Sequence, residues 1–345
     1  MSRIIETILK FVEQNPNCSS VNIYEAFKTE ISLATVKRQL QQLIKQNVIV
    51  KNGSSKNTRY LLNNTYNVLK HIDVDKYFEK DIDERNIKAT FNFDLVESVL
   101  SDINIFTTEE IQFLENLQIK FTKNSKALTK AEFANEMERL AIDLSWKSSQ
   151  IEGNTYSLLE TEQLLLEKKT AAGKSKDDAI MLLNHKEAID FVVDNPNFMY
   201  PLSVQKIEDL HSILIKELAI SKNIRTKKVG ISGTNYVPLD NEWQIKEALI
   251  SSCTLINNKK NIFEKALLIL LLISYIQPFM DGNKRTARIV SNAILIHFKY
   301  CPLSFRTVDT LDYKKAILLF YEINNLSAFK KLFMEQYEFA VNTYF

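Results

Sequence analysis

With 345 residues, 45% hydrophobic and 25% charged, the chain reads as soluble and globular and is long enough for two or three domains. Its most apolar run, Ala266 to Ile273, falls well short of the roughly 20 residues a bilayer span needs, which excludes a transmembrane helix there. The net charge of +2 is small, but residues 1–64 hold nine Lys and Arg against four Glu, so a basic module stands ahead of a slightly acidic remainder.

In that module, Ile4, Ile5, Ile8, Leu9 and Phe11 form the stripe of a first helix, and a second follows the Ser19-Ser20 cap through Phe27. A third opens at Ser32 with Leu33, Val36, Leu40 and Leu43 inward and Lys37, Arg38, Gln41 and Lys45 outward. The period then changes to a strand at Val48-Ile49-Val50, a tight turn at Asn52-Gly53 and a returning strand at Arg59 to Leu62. This α+β order resembles a winged helix over residues 1–64. Such a module would place Lys37, Arg38, Gln41, Gln42 and Lys45 on DNA bases or phosphates, and Lys51, Lys56 and Arg59 on the wing near the backbone. A net charge near +5 leaves a protein-contact role open beside DNA binding, and paired half-sites would make the chain a homodimer by analogy.

Residues 65–90 are Asn- and Asp-rich and are expected to form a connector with one short helix. Beyond it the chain is mainly α. Leu95 to Leu100, Thr108 to Lys120 behind a Thr107 start signal, and Thr129 to Lys147 carry apolar residues three and four apart. A helical part with domain bounds 91–200 precedes a core over 201–345, with Pro196 and Pro201 in the loop between. Gly173-Lys174-Ser175 is a helix-to-helix loop, because Lys168 stands where a P-loop needs glycine. Cys18, Cys253 and Cys301 fit neither a disulfide framework nor a zinc spacing, and the four histidines are scattered. The N-terminus enters an amphipathic pattern at once, without a signal-peptide layout, so a cytoplasmic location is expected.

The most informative stretch is Gln277-Pro278-Phe279-Met280-Asp281-Gly282-Asn283-Lys284-Arg285-Thr286-Ala287-Arg288. An apolar helix over Ile262 to Ile276 is stopped by Pro278, and Phe279 is free to turn inward as an anchor. Gly282 allows close backbone approach, and exposed amide donors at the start of the next helix form an anion site, reinforced by Asn283 and Lys284. Asp281 repels a bare phosphate but suits a divalent ion that bridges phosphates, while Arg285 and Arg288, three apart, can bracket the outer ones.

These residues resemble the signature of the Fic family of protein nucleotidyltransferases. The resemblance covers roughly residues 90–340 and implies a Fic-type all-helical core with a small β-hairpin flap. It implies ATP with Mg2+ as cofactor and AMP transfer to a Ser, Thr or Tyr hydroxyl of a protein partner, with no membrane involved. It places Asp281 on the metal, Gly282, Asn283 and Lys284 around the inner phosphates, Arg285 at the outer phosphates, and Arg288 as second cationic support. Ser148-Ser149-Gln150-Ile151-Glu152-Gly153 resembles the family's inhibitory motif, which implies a Glu152–Arg285 pair that misaligns the nucleotide. Val229 to Pro238, with Ile231, Gly233, Tyr236 and Val237, resembles the hairpin flap that holds a target peptide. Leu183 to Ile189 also fits members carrying that brake.

The family pattern begins with His, and here Gln277 takes that position. An amide cannot shuttle a proton as an imidazole does. The expectation is therefore nucleotide binding with weakened or absent transfer. The alternatives are a nucleotide-bound regulator working through its first domain and, as a minor one, de-adenylylation with Glu152 activating water.

Overall fold

The computed structural model describes residues 3–45 and 48–345, without the side chains of Arg3, Lys56 and Asn64. The chain divides into two compact units, residues 1–71 and 72–345.

The first unit contains α1 (Arg3–Gln14), α2 (Ser20–Phe27), α3 (Leu33–Lys45), strands β1 (Ile49–Asn52) and β2 (Arg59–Leu62), and α4 (Asn64–Leu69). Ile8, Val12, Ile23, Val36, Leu40, Leu43, Ile49 and Leu62 make its core. Ser19 caps α2 reciprocally with Asn22, the Ser19 Oγ accepting from the Asn22 amide at 3.1 Å. The strands pair antiparallel, Ile49 opposite Leu62 and Asn52 opposite Arg59. Asn52-Gly53 does not close a two-residue turn as the sequence suggested. Gly53 at φ 78° opens a longer loop with a 3-10 turn at Ser55–Asn57, and a Cβ on it would lie 2.6 Å from the Asn57 carbonyl oxygen. Only glycine suits that position.

The second unit is helical: α5 (Val74–Phe78), α6 (Leu100–Asp102, continuing a π-helical turn at Leu95–Val99), α7 (Thr108–Ala127), α8 (Lys130–Ile151), α9 (Leu158–Glu167), α10 (Lys176–Asp194), α11 (Val204–Leu214), α12 (Glu242–Asn258), α13 (Ile262–Ile276), α14 (Asn283–His297), α15 (Thr310–Ile323) and α16 (Ser327–Tyr344). Helix α13 is the axis, buried from Phe263 through Ile276, and it packs on α12, α14 and α15. A helix apolar on every side belongs inside a bundle. Capping boxes at Thr107–Glu110 and Thr129–Glu132 start α7 and α8. No helix among the described residues is long and apolar enough to cross a membrane.

The later part of the expected connector lies on this unit. Tyr77 donates to Glu322 at 2.7 Å and Arg85 pairs with Glu322 at 3.0 Å. The expected hairpin over Val229–Pro238 is instead an irregular segment with one turn at Ser232–Gly233. Its partner is not a returning strand of its own but Thr90, which forms a single parallel bridge with Val237.

Candidate phosphate site at the start of helix α14

The turn between α13 and α14 is held by three polar side chains. Gln277 ends α13 in the left-handed conformation, φ 50° and ψ 60°, its amide donating to the Ile273 carbonyl at 3.0 Å. Arg225, 2% exposed, grips the turn from outside: its Nε donates to the Gln277 carbonyl at 2.6 Å and its own backbone N–H to the Pro278 carbonyl at 3.0 Å. Asn283 staples the loop internally, accepting from the Phe279 amide at 2.7 Å and donating to the Phe279 carbonyl at 2.8 Å. It also donates to Gln277 Oε1 at 3.1 Å, while Gln277 Nε2 donates to the Ser274 carbonyl at 2.7 Å. Both ends of the Gln277 amide are thereby engaged in the fold, and the Asn283 side chain, expected at the phosphates, is occupied by the loop.

Phe279 is fully buried and stacks on His211 with centroids 3.6 Å apart and planes 5° from parallel. His211 Nδ1 lies 3.1 Å from Thr286 Oγ1. Burial, helped by the Arg285 charge, lowers this imidazole to about 3, so it is neutral. Gly282 is the N-cap of α14 at φ 79°, with no side-chain cap. A Cβ there would lie 3.2 Å from His211 Cε1. The first-turn amides of a helix have no acceptor within it. The Gly282 amide itself is taken by Asp281 Oδ1 at 2.6 Å. Contrary to the expectation of exposed donors, Gly282 and Asn283 are buried, because His211 lies against the glycine and the Glu152–Lys284 pair sits beside the helix start.

The two arginines face different ways. Arg285, 1% exposed, pairs with Asp281 at 3.2 Å and leaves Nε and Nη1 buried without a hydrogen-bond acceptor. Arg288, fully buried, donates to Ser148 Oγ at 2.8 Å, to the Ser148 carbonyl at 2.9 Å and to Glu152 at 2.8 Å. Its Nη1 is likewise without an acceptor, and its guanidinium lies 5.3 Å from the Tyr313 ring centroid. The expected Glu152–Arg285 pair is therefore corrected: Glu152 holds Arg288 at 2.8 Å and Lys284 at 3.4 Å. Helical pitch explains the difference. Lys284 and Arg288 are four apart and share the face toward the end of α8, whereas Arg285 lies four after Asp281. Burial works against the Glu152 carboxylate, but the Arg288 and Lys284 cations more than offset it and hold the group below its ordinary range.

Glu152 is delivered by the end of α8. Gly153 at φ 102° donates to the Gln150 carbonyl at 3.0 Å, and Asn154 reaches back to the Ser149 carbonyl at 3.0 Å, a Schellman closure. Behind it, His185 Nε2 lies 2.7 Å from Ser148 Oγ and Nδ1 lies 3.3 Å from Ser145 Oγ. Arg288 Nε donates to Ser148 Oγ, and the tautomer of a neutral His185 decides which of Ser148 Oγ and His185 Nε2 gives the proton between them. Burial and the nearby arginines push His185 well below its usual range, consistent with that neutral ring. Arg225, His211 and His185 are not recognisable in the sequence as members of one cluster. Each lies far from the loop along the chain and meets it only through the packing of α10, α11 and the segment before the 229–238 loop.

Of the other expected residues, Tyr236 is a core anchor, stacked on Tyr275 at 4.7 Å and donating to its carbonyl at 3.0 Å. Val237 is 49% exposed, Ile231 half-buried, and Gly233 at φ 86° approaches Leu318. In the first unit, Lys37, Arg38, Gln41, Gln42 and Lys45 are exposed on α3, opposite Val36, Leu40 and Leu43, and Lys51 is exposed on β1. Arg59 is half-buried and donates to the Thr58 carbonyl at 3.2 Å; the Lys56 side chain lies outside the described residues.

The cradle fits a polyphosphate: a helix start without a side-chain cap, a glycine at φ 79° where a Cβ would press on His211, and three buried guanidinium nitrogens lacking acceptors. Among the described residues no group of three or more His, Cys, Asp or Glu could hold a metal, so a magnesium ion would rest on Asp281 and the phosphates themselves.

Residues 201–295 match the Fic/DOC family. The Fic region thus takes in the turn, Arg225, His211 and both arginines. The "Protein adenylyltransferase Fic" of Nematostella vectensis is 29% identical over 174 residues, covering 49% of this chain; the chain spans only about two fifths of that protein, 40%. Fic-1 from C. elegans superposes with a TM-score of 0.60 at 19% identity, over 68% of this chain and 72% of that one. A Fic family protein from Desulfovibrio desulfuricans gives 0.57 at 16% identity, over 69% and 74%. The fold is Fic-type and mainly α.

Proposed function

We propose that the second unit binds ATP with Mg2+ at the start of α14 and descends from protein adenylyltransferases, with Glu152 as its brake and Gln277 as the cause of weak or absent transfer. The observation that carries this reading is the set of unsatisfied buried donors, Arg285 Nε and Nη1 and Arg288 Nη1, around an uncapped helix start. An outer phosphate would satisfy them, and to gain Arg288 it must displace Glu152. Magnesium, held through Asp281, would supply charge neutralisation for the phosphates. Gly282 keeps a side chain away from the helix start, Lys284 and Arg285 orient the anion, and Arg288 is released to it when Glu152 leaves. The acceptor would be a Ser, Thr or Tyr hydroxyl of another protein. General base catalysis is commonly worth about 10² to 10⁴ in rate, and neither end of the Gln277 amide can provide it.

The test is transfer of labelled adenylate to the chain itself or to a cell extract, with Glu152→Gly alone and with Glu152→Gly plus Gln277→His. Labelling that appears only in the double variant, by about a hundredfold or more, supports a disabled transferase. No labelling with either, despite nucleotide binding, leaves the nucleotide-bound regulator in its place. For that second reading the exposed Lys37, Arg38, Gln41 and Lys45 speak, as the outward face of a winged helix suited to DNA.

A further inference from the structure

Three positions two residues apart on the 229–238 segment are all engaged by the same short stretch of chain. Arg85 Nη2 donates to the Gly233 carbonyl at 2.9 Å, Asn235 Nδ2 donates to Asp83 Oδ1 at 2.8 Å, and the Val237 amide donates to the Ala89 carbonyl at 2.8 Å. Gly233 is held through a turn carbonyl, Asn235 through its side chain and Val237 through its main chain in a single parallel bridge with Thr90, so the stretch lies over one side of this segment. The other side, through Tyr236 and Thr234, is buried in the unit. That stretch has little holding it by apolar burial: Asp83, Glu84, Asn86, Lys88, Ala89 and Thr90 are exposed, and Ile82 and Ile87 only half-buried. Its anchors on the rest of the unit are mainly polar and converge on one residue: Arg85 pairs with the fully buried Glu322 carboxylate at 3.0 Å, and the Lys88 amide donates to the Glu322 carbonyl at 2.6 Å. Polar, main-chain and sparsely packed contacts mark the low-stability end of a structure.

We propose that residues 82–90 are an internal strap lying over the exposed side of residues 233–237, and that an extended target segment gains this side only when the strap lifts. The partner is an extended peptide carrying an arginine in the register of Arg85, which would take over Glu322 and the Gly233 carbonyl while its main chain pairs with Val237. The inference rests on the reading of residues 229–238 as the target-holding flap. The brake at Glu152 governs the nucleotide; the strap governs the acceptor.

A fluorescent synthetic peptide of residues 81–92 is the probe, added to the full chain and to Arg85→Ala and Asn235→Ala variants. The Arg85→Ala chain is expected to bind it at least tenfold more tightly than the unaltered chain, whose tethered strap competes at high effective concentration. The same peptide with Arg85→Ala should not bind. Should loss of the Glu322 partner unfold the variant, hydrogen exchange on the unaltered chain decides: the Val237 amide should exchange at least a hundredfold faster than the Gln277 amide at the end of α13. Binding to none of the chains, or Val237 exchanging as slowly as Gln277, overturns the strap. These readouts need no nucleotide, so their failure leaves the nucleotide site standing. Success without any gain of labelling by Asn235→Ala, in the Glu152→Gly and Gln277→His background, would keep the strap and remove the flap's role in targeting.

Discussion

A carboxamide at position 277 has one group to give and one to receive with, and the turn uses both, on the Ser274 carbonyl and the Asn283 amide. Gln277→Ala should therefore destabilise the unit by about 1–3 kcal/mol, the usual cost of stranding buried partners, read as a lower denaturant midpoint with unchanged m. At Gly282 it is the lack of a side chain that the proposed site uses. Gly282→Ala meets both a positive φ and a His211 carbon at 3.2 Å, and is expected to weaken Mg-ATP binding at least tenfold with a stability loss of only about 1–2 kcal/mol. At Glu152 the sign of the pH effect is fixed by its lowered folded-state value: the lock is fully present above the ordinary carboxylate range near 4.5 and is lost as pH falls through the depressed one. Nucleotide affinity of the unaltered chain should thus show no Glu152-dependent rise between about pH 6 and 8. A rise in that window, absent from Glu152→Gln, would contradict the charge assignment.

Among elements, the end of α8 is the most informative. Its Schellman closure aims Glu152, and only Gly153 sits at φ 102° without strain. Gly153→Ala should cost about 1 kcal/mol and loosen the Glu152–Arg288 pair, so that Mg-ATP binding tightens while the melting temperature falls. A fall in stability with unchanged nucleotide affinity would separate the closure from the brake. Helix starts were legible because they are local chemistry: Ser19, Thr107 and Thr129 each bond an amide within three residues. The motif turn was legible for the same reason, from Pro278, Asp281 and Gly282. What could not be read was pairing between distant segments. The family resemblance implies a hairpin over Val229–Pro238, but Val237 finds its partner at Ala89-Thr90, and Glu152 chose Arg288 over Arg285 through the relative rotation of α8 and α14, which no local pattern encodes. His211 and His185 were invisible as site residues, since each enters the cluster only by tertiary packing.

At the scale of the whole molecule, a basic helical unit with a two-stranded hairpin and a Fic-type unit share one chain. If the first unit holds DNA through α3, its affinity should fall steeply with added salt, and Lys37→Ala with Arg38→Ala should flatten that slope by roughly 2, one counterion for each phosphate that those cations neutralise. Binding that ignores salt would assign those side chains to a protein partner. The central claim belongs to the second unit: an uncapped helix start and two buried arginines bind a metal-bridged polyphosphate, and Glu152 competes for the second arginine. The most direct measurement is calorimetric titration of Mg-ATP into the full chain and its Glu152→Gly variant. The account predicts magnesium-dependent binding by the variant, at least tenfold tighter than by the unaltered chain; equal affinities, or no binding by the variant at millimolar nucleotide, would contradict it.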